Sequence, residues 1–371
     1  MSATRMRIVF LGMTVTSSWG NGHATTYRAL MKGLARRGHD ILFLERDVPE
    51  FAAHRDQRFP PNGRTVLYRD LGDLSARATR EVSDADLVVV GSCVPEGVAV
   101  GEWVVRTAHG VKAFYDLDTP VTIAKLERGD EEYLSRKLVP EYDLYLSFAG
   151  GPILQRLERD FRAVRAVPLY CSVDPDLYAP LDEPETWDLG YLGTYTPDRA
   201  TTLGHLLVEP ARRWPRGRFV VAGTDYPPTP EWPRNVERRG HVPPTEHAEF
   251  YSRQRYTLNV TRAEMSENGY APSVRLFQAA ACGTPVISDW WVGLDTFFQP
   301  GSEILVAGGP IDTLALIRDV PEADRRQIAG AARRRVLSTH TAEIRAQELE
   351  EYVRPTVSSE TDTSASASAA S

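Results

Sequence analysis

Cysteine is scarce in this chain. Cys93, Cys171 and Cys282 are the only three among 371 residues, too few and too scattered for a disulfide framework or a zinc knuckle. An odd count suits a reducing cytosol, and the three are read as buried thiols. Long hydrophobic runs are missing as well. Nowhere do 18 apolar residues follow one another, and the opening MSATRMRIVFLGM turns polar between Thr14 and Asn21. A signal peptide and stable membrane insertion are therefore not expected, and a cytoplasmic location is. There is no basic excess: 43 Lys and Arg stand against 50 Asp and Glu, a net charge of −7. Such a balance gives no general pull toward nucleic acid, so no nucleic-acid partner is expected and any polyanion site must be local. No repeat at a period of 20 to 50 residues emerges, although the two halves share an organisation.

What is present is ordinary globular material, 42% hydrophobic and 25% charged, enough for two buried cores. At roughly 150 residues per domain, two domains and an appendage follow. Apolar runs of strand length alternate with stretches of helical period, the pattern of βαβ units feeding parallel sheets. Expected strands in the first half are 8–11, 41–44, 65–68, 87–90, 113–115 and 144–147, with 167–170 a possible seventh. In the second half they are 189–192, 219–222, 236–238, 256–260, 285–287 and 304–306. The fold class is α/β with two sheets of about six strands. Tyr27, Leu30, Met31, Leu34 and Ala35 share one helical face before Gly38. A polar, Pro-containing stretch, 178–186, reads as the linker, within a hinge expected at 174–186. The expected domains are 1–180 and 187–337, with a final helix at 341–353 and a disordered Ser/Thr/Ala tail at 356–371.

Several loops could carry chemistry. Gly20-Asn21-Gly22-His23 opens the first helix, where glycines allow close approach to a ligand and free N–H groups favour an anion or a sugar hydroxyl. A dinucleotide fingerprint is incomplete there, since position 25 is Thr, although Glu45 at the second strand's end stands where a ribose-binding acid would. His23 is either a base with a pKa near ~6.5 or a polar helix-start residue. Arg199, after Gly193-Thr194-Tyr195-Thr196-Pro197-Asp198, suits a phosphate at the carboxyl end of a sheet, or is a surface arginine starting a helix. Ala222-Gly223-Thr224 and Arg239-Gly240-His241-Val242-Pro243 give two more loops on that rim.

Glu267 to Asp289 is the most informative segment. Pro272 suits the first turn of a helix that Gly283 ends. The N–H groups near Ser273 and Val274, with Arg275, point at a diphosphate, and Gln278 one turn on could bond a ribose. Alternatively Arg275 and Gln278 form a buried pair that merely holds the loop. Trp290 and Trp291 beside Asp289 offer either packing or an apolar surface near the ligand. In the first half Asp116 and Asp118 follow a strand, so an Asp there is a general base or a helix cap. Glu127, Asp130, Glu131 and Glu132 read as a solvated helix face.

Residues 236–251, then Asn259, then 270–289 resemble the donor-binding half of GT-B glycosyltransferases, especially the CgeB-like spore-maturation group. That resemblance implies two Rossmann-like parallel-sheet domains facing a cleft, with a nucleoside diphosphate sugar held by the second and an acceptor, a small molecule or glycan, by the first. Implied donor-binding residues are Gly22, Arg199, Gly223, Val242, Tyr270, Ser273, Arg275 and Gln278; implied catalytic residues are His23 and Asp118. Residues 20–23 resemble the family's glycine loop and 171–180 its entry to the hinge. Hexosyl transfer with retention follows from the resemblance, without a metal and with no cofactor beyond the substrate nucleotide sugar. Two departures bear on donor and stereochemistry: Tyr270 and Gln278 stand at the spacing where retaining members carry paired Glu, and the lysine usual after the phosphate-binding arginine is absent. A nucleotide-sugar 2-epimerase of this fold, or a non-catalytic nucleotide-sugar-binding protein, are the alternatives.

Overall fold

The computed structural model describes residues 5–227 and 232–354, and the expected tail at 356–371 lies outside them. The chain forms two compact units. Among the described residues, the first comprises 5–18, 23–170 and 342–354; the second comprises 19–22, 171–227 and 232–341. The stretch expected as the linker, 178–186, thus lies inside the second unit, and the chain passes between units after Tyr170.

In the first unit seven strands form one parallel sheet: β1 (Arg7–Gly12), β2 (Asp40–Arg46), β3 (Arg64–Tyr68), β4 (Leu87–Gly91), β5 (Val111–Asp116), β6 (Leu144–Ser147) and β7 (Ala166–Pro168). Their order is β3-β2-β1-β4-β5-β6-β7. The second unit has six: β8 (Leu189–Leu192), β9 (Phe219–Ala222), β10 (Val236–Arg239), β11 (Thr257–Asn259), β12 (Val286–Ser288) and β13 (Leu305–Val306), ordered β10-β9-β8-β11-β12-β13. Every pairing is parallel. Both orders are Rossmann-like, as the sequence predicts. Each reverses direction once, between β1 and β4 and between β8 and β11, and ligands bind such folds outside the carboxyl ends of the strands at that reversal.

The apolar runs explain the sheets. β4 reads Leu-Val-Val-Val-Gly and is buried throughout, as a strand covered on both faces must be. The first helix, His23–Arg36, packs Tyr27, Leu30, Met31 and Leu34 into the core of its unit and stops at Gly38, whose φ is +91°. Residues 342–354 are helical and complete that same core with Ala346, Leu349 and Val353. Buried Glu350 on this helix accepts two bonds from Arg37, at 2.6 and 2.8 Å, and one from His39 Nε2 at 2.7 Å. Because Met6 N donates to His39 Nδ1, Nε2 carries the ring proton. The acidic run is not a helix face: its helix ends at Glu127, and Asp130 and Glu132 turn back to pair with Lys125. Among the described residues no helix is long and apolar enough to cross a membrane.

Candidate functional site

In the second unit, two turns at the carboxyl edge of the sheet are pressed together. The turn after β8, Gly193–Thr196, exchanges bonds with the one after β9: Gly193 N donates to Ala222 O at 2.9 Å, Tyr195 N to Thr224 O at 3.0 Å, and Tyr226 Oη to Gly193 O at 3.0 Å. A Cβ on Gly223, where φ is +144°, would lie 2.0 Å from the Gly193 carbonyl oxygen, so only glycine fits. Gly223 is therefore required by backbone packing, whatever its part in binding.

Arg275 joins the two strands that flank the reversal. It lies on the helix Val274–Ala281 and is only 7% exposed. Its Nε donates to Leu192 O at the end of β8, and its Nη1 to Asn259 Oδ1 at the end of β11, 3.0 Å away, and to Ser273 Oγ at 3.4 Å. The guanidinium lies over the Tyr191 ring, 4.8 Å from its centroid. A Cβ on Gly193 would stand 2.7 Å from Arg275 Nη2, so that glycine makes room for the cation. Arg199, on the helix Pro197–Leu203, bonds Thr196 Oγ1 at 2.8 Å and Thr194 O at 3.0 Å. Burial and the like charges of Arg275 and Arg262 push its guanidinium below the ordinary value, against the opposing influence of Tyr191 and Asp198. Among the described residues neither Arg199 nor Arg275 has a carboxylate within ion-pair distance. Arg262 has one at 3.9 Å, Asp198.

The helix carrying Arg275 begins two residues later than Pro272 suggested, with Ser273 at the cap position. The Ser273 hydroxyl makes no cap bond and no acidic residue occupies the first turn, so the first amides are open to an anion. Arg275 and Gln278 do not bond each other, which overturns the reading of them as a mutual structural pair. Gln278 Nε2 donates instead to Tyr178 Oη at 2.9 Å. Tyr178 Oη is 3.1 Å from His247 Nδ1, and His247 Nε2 is 3.0 Å from Val242 O. A carbonyl only accepts, so Nε2 bears the proton and the donors run from Tyr178 to His247 to Val242. Burial takes the His247 imidazole down to about 4, consistent with a neutral ring. Sequence spacing gave no signal of Tyr178 and His247; a lone Asn259 in an apolar strand was a visible one. Tyr270 adopts a left-handed backbone, φ 51°, and its N donates to Val292 O at 2.7 Å.

In the first unit, Glu45 is fully buried and clasps the loop after β1, accepting from Val15 N at 2.6 Å, Thr16 N at 2.9 Å and Thr16 Oγ1 at 2.5 Å. Both oxygens are occupied, so the acid that stands where a dinucleotide fold would place its ribose-binding residue is a loop anchor here. Arg28 grips Asp56 with two bonds, at 2.9 and 2.7 Å, and Asp56 also accepts from Ser18 N and Oγ. Gly22, which belongs to the second unit, has open space around it: a side chain there would meet nothing within 4 Å. His23 starts the first helix with its Nδ1 buried and without a hydrogen-bond partner. Burial lowers its pKa to about 4, below the ordinary value near ~6.5. Asp118 stands at the cap position of the helix Thr119–Glu127 with no side-chain cap bond. Asp116 ties that helix instead, accepting from Thr122 Oγ1 at 2.7 Å and Tyr145 Oη at 2.5 Å, and burial raises it to about 6 despite these bonds. Of the expected buried thiols, Cys171 and Cys282 are buried, and Cys93 is only partly so, in a left-handed conformation with φ 61°. Among the described residues no cluster of three His, Cys, Asp or Glu side chains could hold a metal ion.

No curated protein sequence matches the chain. Residues 199–351 match the family described as Glycosyl transferase-like. Among solved structures, sucrose-phosphate synthase from Thermosynechococcus elongatus is 16% identical, covering 95% of this chain and 100% of that one with a TM-score of 0.68. Anabaena HepE in complex with UDP and glucose is 13% identical over 94% of this chain and 99% of that one, TM-score 0.69. An alpha-glucosyltransferase in complex with UDP-glucose and DNA containing an abasic site is 12% identical over 94% and 100%, TM-score 0.69. At these identities the likeness is one of fold: two Rossmann-like parallel-sheet units of the GT-B kind, with a glycosyltransferase-like sequence pattern over residues 199–351.

Proposed function

We propose that the protein is a glycosyltransferase whose second unit binds a nucleoside diphosphate sugar. The observation that carries this reading is Arg275, buried at the reversal between β8 and β11 with no carboxylate partner among the described residues. A buried cation is normally paired, because leaving it alone costs several kcal/mol in a low-dielectric setting. A diphosphate supplies the missing charge. The glycosyltransferase-like pattern over 199–351 and the UDP bound by fold relatives support that ligand.

Transfer builds negative charge on the departing diphosphate and positive character on the sugar. Arg199, Arg275 and the open amides at Ser273 and Val274 would stabilise the leaving group. They do so as fixed donors that need no reorganisation during the reaction, and in our reading no metal takes part. Gln278, whose Nε2 is engaged by Tyr178, offers its carbonyl oxygen to a ribose hydroxyl. Tyr270 lies toward the transferred sugar, and Gly223 and Val242 toward the nucleoside. The first unit takes the acceptor, a small molecule or glycan. There Asp118 is the better base, since a His23 imidazole near 4 holds a proton poorly at neutral pH. Retaining hexosyl transfer and kinship with the CgeB-like group belong to the same proposal.

Calorimetry with UDP in the presence of EDTA tests the reading, followed by product analysis with UDP-hexoses and an acceptor panel. Micromolar binding without metal and a new glycoside are expected. No nucleoside diphosphate binding, or an epimerised donor in place of a glycoside, would overturn it.

A further inference from the structure

The helix after β8 is interrupted in its middle. Residues 197–203 and 209–213 are α-helical, but Gly204–Val208 between them is a π-helix, closed by a bond from Glu209 N to Gly204 O. The cause lies in the residue that follows. Pro210 has no N–H to offer the Leu206 carbonyl and its ring crowds that oxygen, so the preceding turn widens. Such turns are rare and gather at functional sites. This one borders a cavity of about 300 Å³, lined also by Tyr195 from the turn after β8 and by Tyr226 and Trp232 from the segment after β9. The rings meet edge to face: Tyr195 and Tyr226 have centroids 5.5 Å apart at 61°, Tyr226 and Trp232 5.8 Å apart at 75°. They are held in place. Tyr226 Oη donates to Gly193 O, and the Arg238 guanidinium lies over the Tyr226 and Trp232 rings, 5.4 and 5.0 Å from their centroids. On the helical side there is room, since a Cβ on Gly204 would meet nothing within 4 Å.

The chemistry of the walls selects the occupant. Glu209 and Arg212, which line the same cavity, pair with each other at 2.5 Å, so neither is left to hold a charged ligand. Leu203 and Val208 complete an apolar lining. One polar group has no partner: Trp232 Nε1 is buried without a hydrogen bond among the described residues, a donor that an oxygen or nitrogen would satisfy. A preformed recess with aromatic walls and a single polar handle is the usual form of a small-molecule site. Size narrows the choice. An apolar cavity of ~150 Å³ holds one benzene ring, so twice that volume suits two fused rings, and walls set edge to face favour aromatic ones.

We propose that the cavity between the π-helix and Tyr226 is a second ligand site, taking a neutral two-ring aromatic molecule whose oxygen or nitrogen accepts from Trp232 Nε1. Neither Arg199 nor Arg275 lines it, so it is separate from the diphosphate site and does not depend on the glycosyl-transfer reading. Calorimetry tests it with coumarin, a neutral bicycle carrying a carbonyl acceptor, and with indole, which has no acceptor. The wild-type chain, Gly204→Leu and Trp232→Phe are compared with and without saturating UDP, beside circular dichroism spectra. Saturable one-site coumarin binding that UDP does not displace is expected. Gly204→Leu fills the room above the π-helix and should weaken coumarin at least ~10-fold, whereas Trp232→Phe should weaken coumarin ~2- to 10-fold more than indole. If Gly204→Leu does not fold, Ala200→Phe blocks the cavity from the preceding turn and carries the same expectation. A wild-type chain with no saturable coumarin binding overturns the site, as does undiminished affinity in the blocking variant. Equal losses of coumarin and indole in Trp232→Phe overturn the N–H contact. Displacement of coumarin by UDP moves it to the diphosphate site and overturns the second one. Absence of UDP binding bears on the functional reading alone, because the blocking variant still decides the cavity.

Discussion

Arg275 is held by uncharged acceptors: a carbonyl, an amide oxygen and a hydroxyl. They fix the guanidinium without neutralising it. Replacing it by lysine keeps the charge and loses the planar fork, so Arg275→Lys should weaken UDP binding by ~1.5 to 3 kcal/mol with the fold intact. Calorimetry beside a circular dichroism spectrum checks this; undiminished affinity would make the residue a brace between β8 and β11. Gly193 gives an independent handle on the same cation. Gly193→Ala would drive a methyl against Arg275 Nη2, and UDP affinity should fall although no ligand-contacting group was removed. At His23 the expectation is spectroscopic: its ring resonances should titrate near 4, and an inflection near 6.5 would show the imidazole to be hydrated.

Turns and loops carry what the strands present, and each is pinned by a distant partner. Asp56 holds the loop after β1 through Ser18 and Arg28. Burial opposes its ionisation, yet the Arg28 fork and the Ser18 bonds bring its carboxyl down to about 2. A depressed carboxylate stabilises the fold above the unfolded value near ~3.9, and that stabilisation disappears as pH falls toward 2. Asp56→Asn should therefore be less stable than wild type at pH 7, with the gap closing between pH 4 and 2; thermal melts across that range test it. The strands were readable because their apolar runs are bounded by Gly, Pro and Asp, and boundaries moved by only one or two residues. Helical spacing likewise placed Arg275 and Gln278 at one helix start. The anchoring of Glu45 and the Tyr178 to His247 relay were not readable: their partners are 29 to 100 positions away, and periodicity carries no information at that range. The burial of His23 was not readable either, since it depends on residues brought together by the whole unit.

The first unit is assembled from chain segments on either side of the second. Ala346, Leu349 and Val353 complete its core, and Glu350 pairs with Arg37 and accepts a hydrogen bond from His39 Nε2. A chain cut at residue 341 should therefore expose apolar core and leave His39 without its acceptor, lowering the melting temperature of the first unit by several degrees or more. An unaltered melting profile would show residues 342–354 to be dispensable.

That arrangement also has an order in time. Synthesis runs from the amino end, so residues 171–341 leave the ribosome before the helix 342–354 exists. The second unit has nearly its full complement of residues while the first still has an uncovered face around Gly33, Arg37 and His39, where Ala342, Ala346 and Glu350 will pack. In a nascent chain the half that starts first is finished last, and the interval between is when that face is open to chaperones.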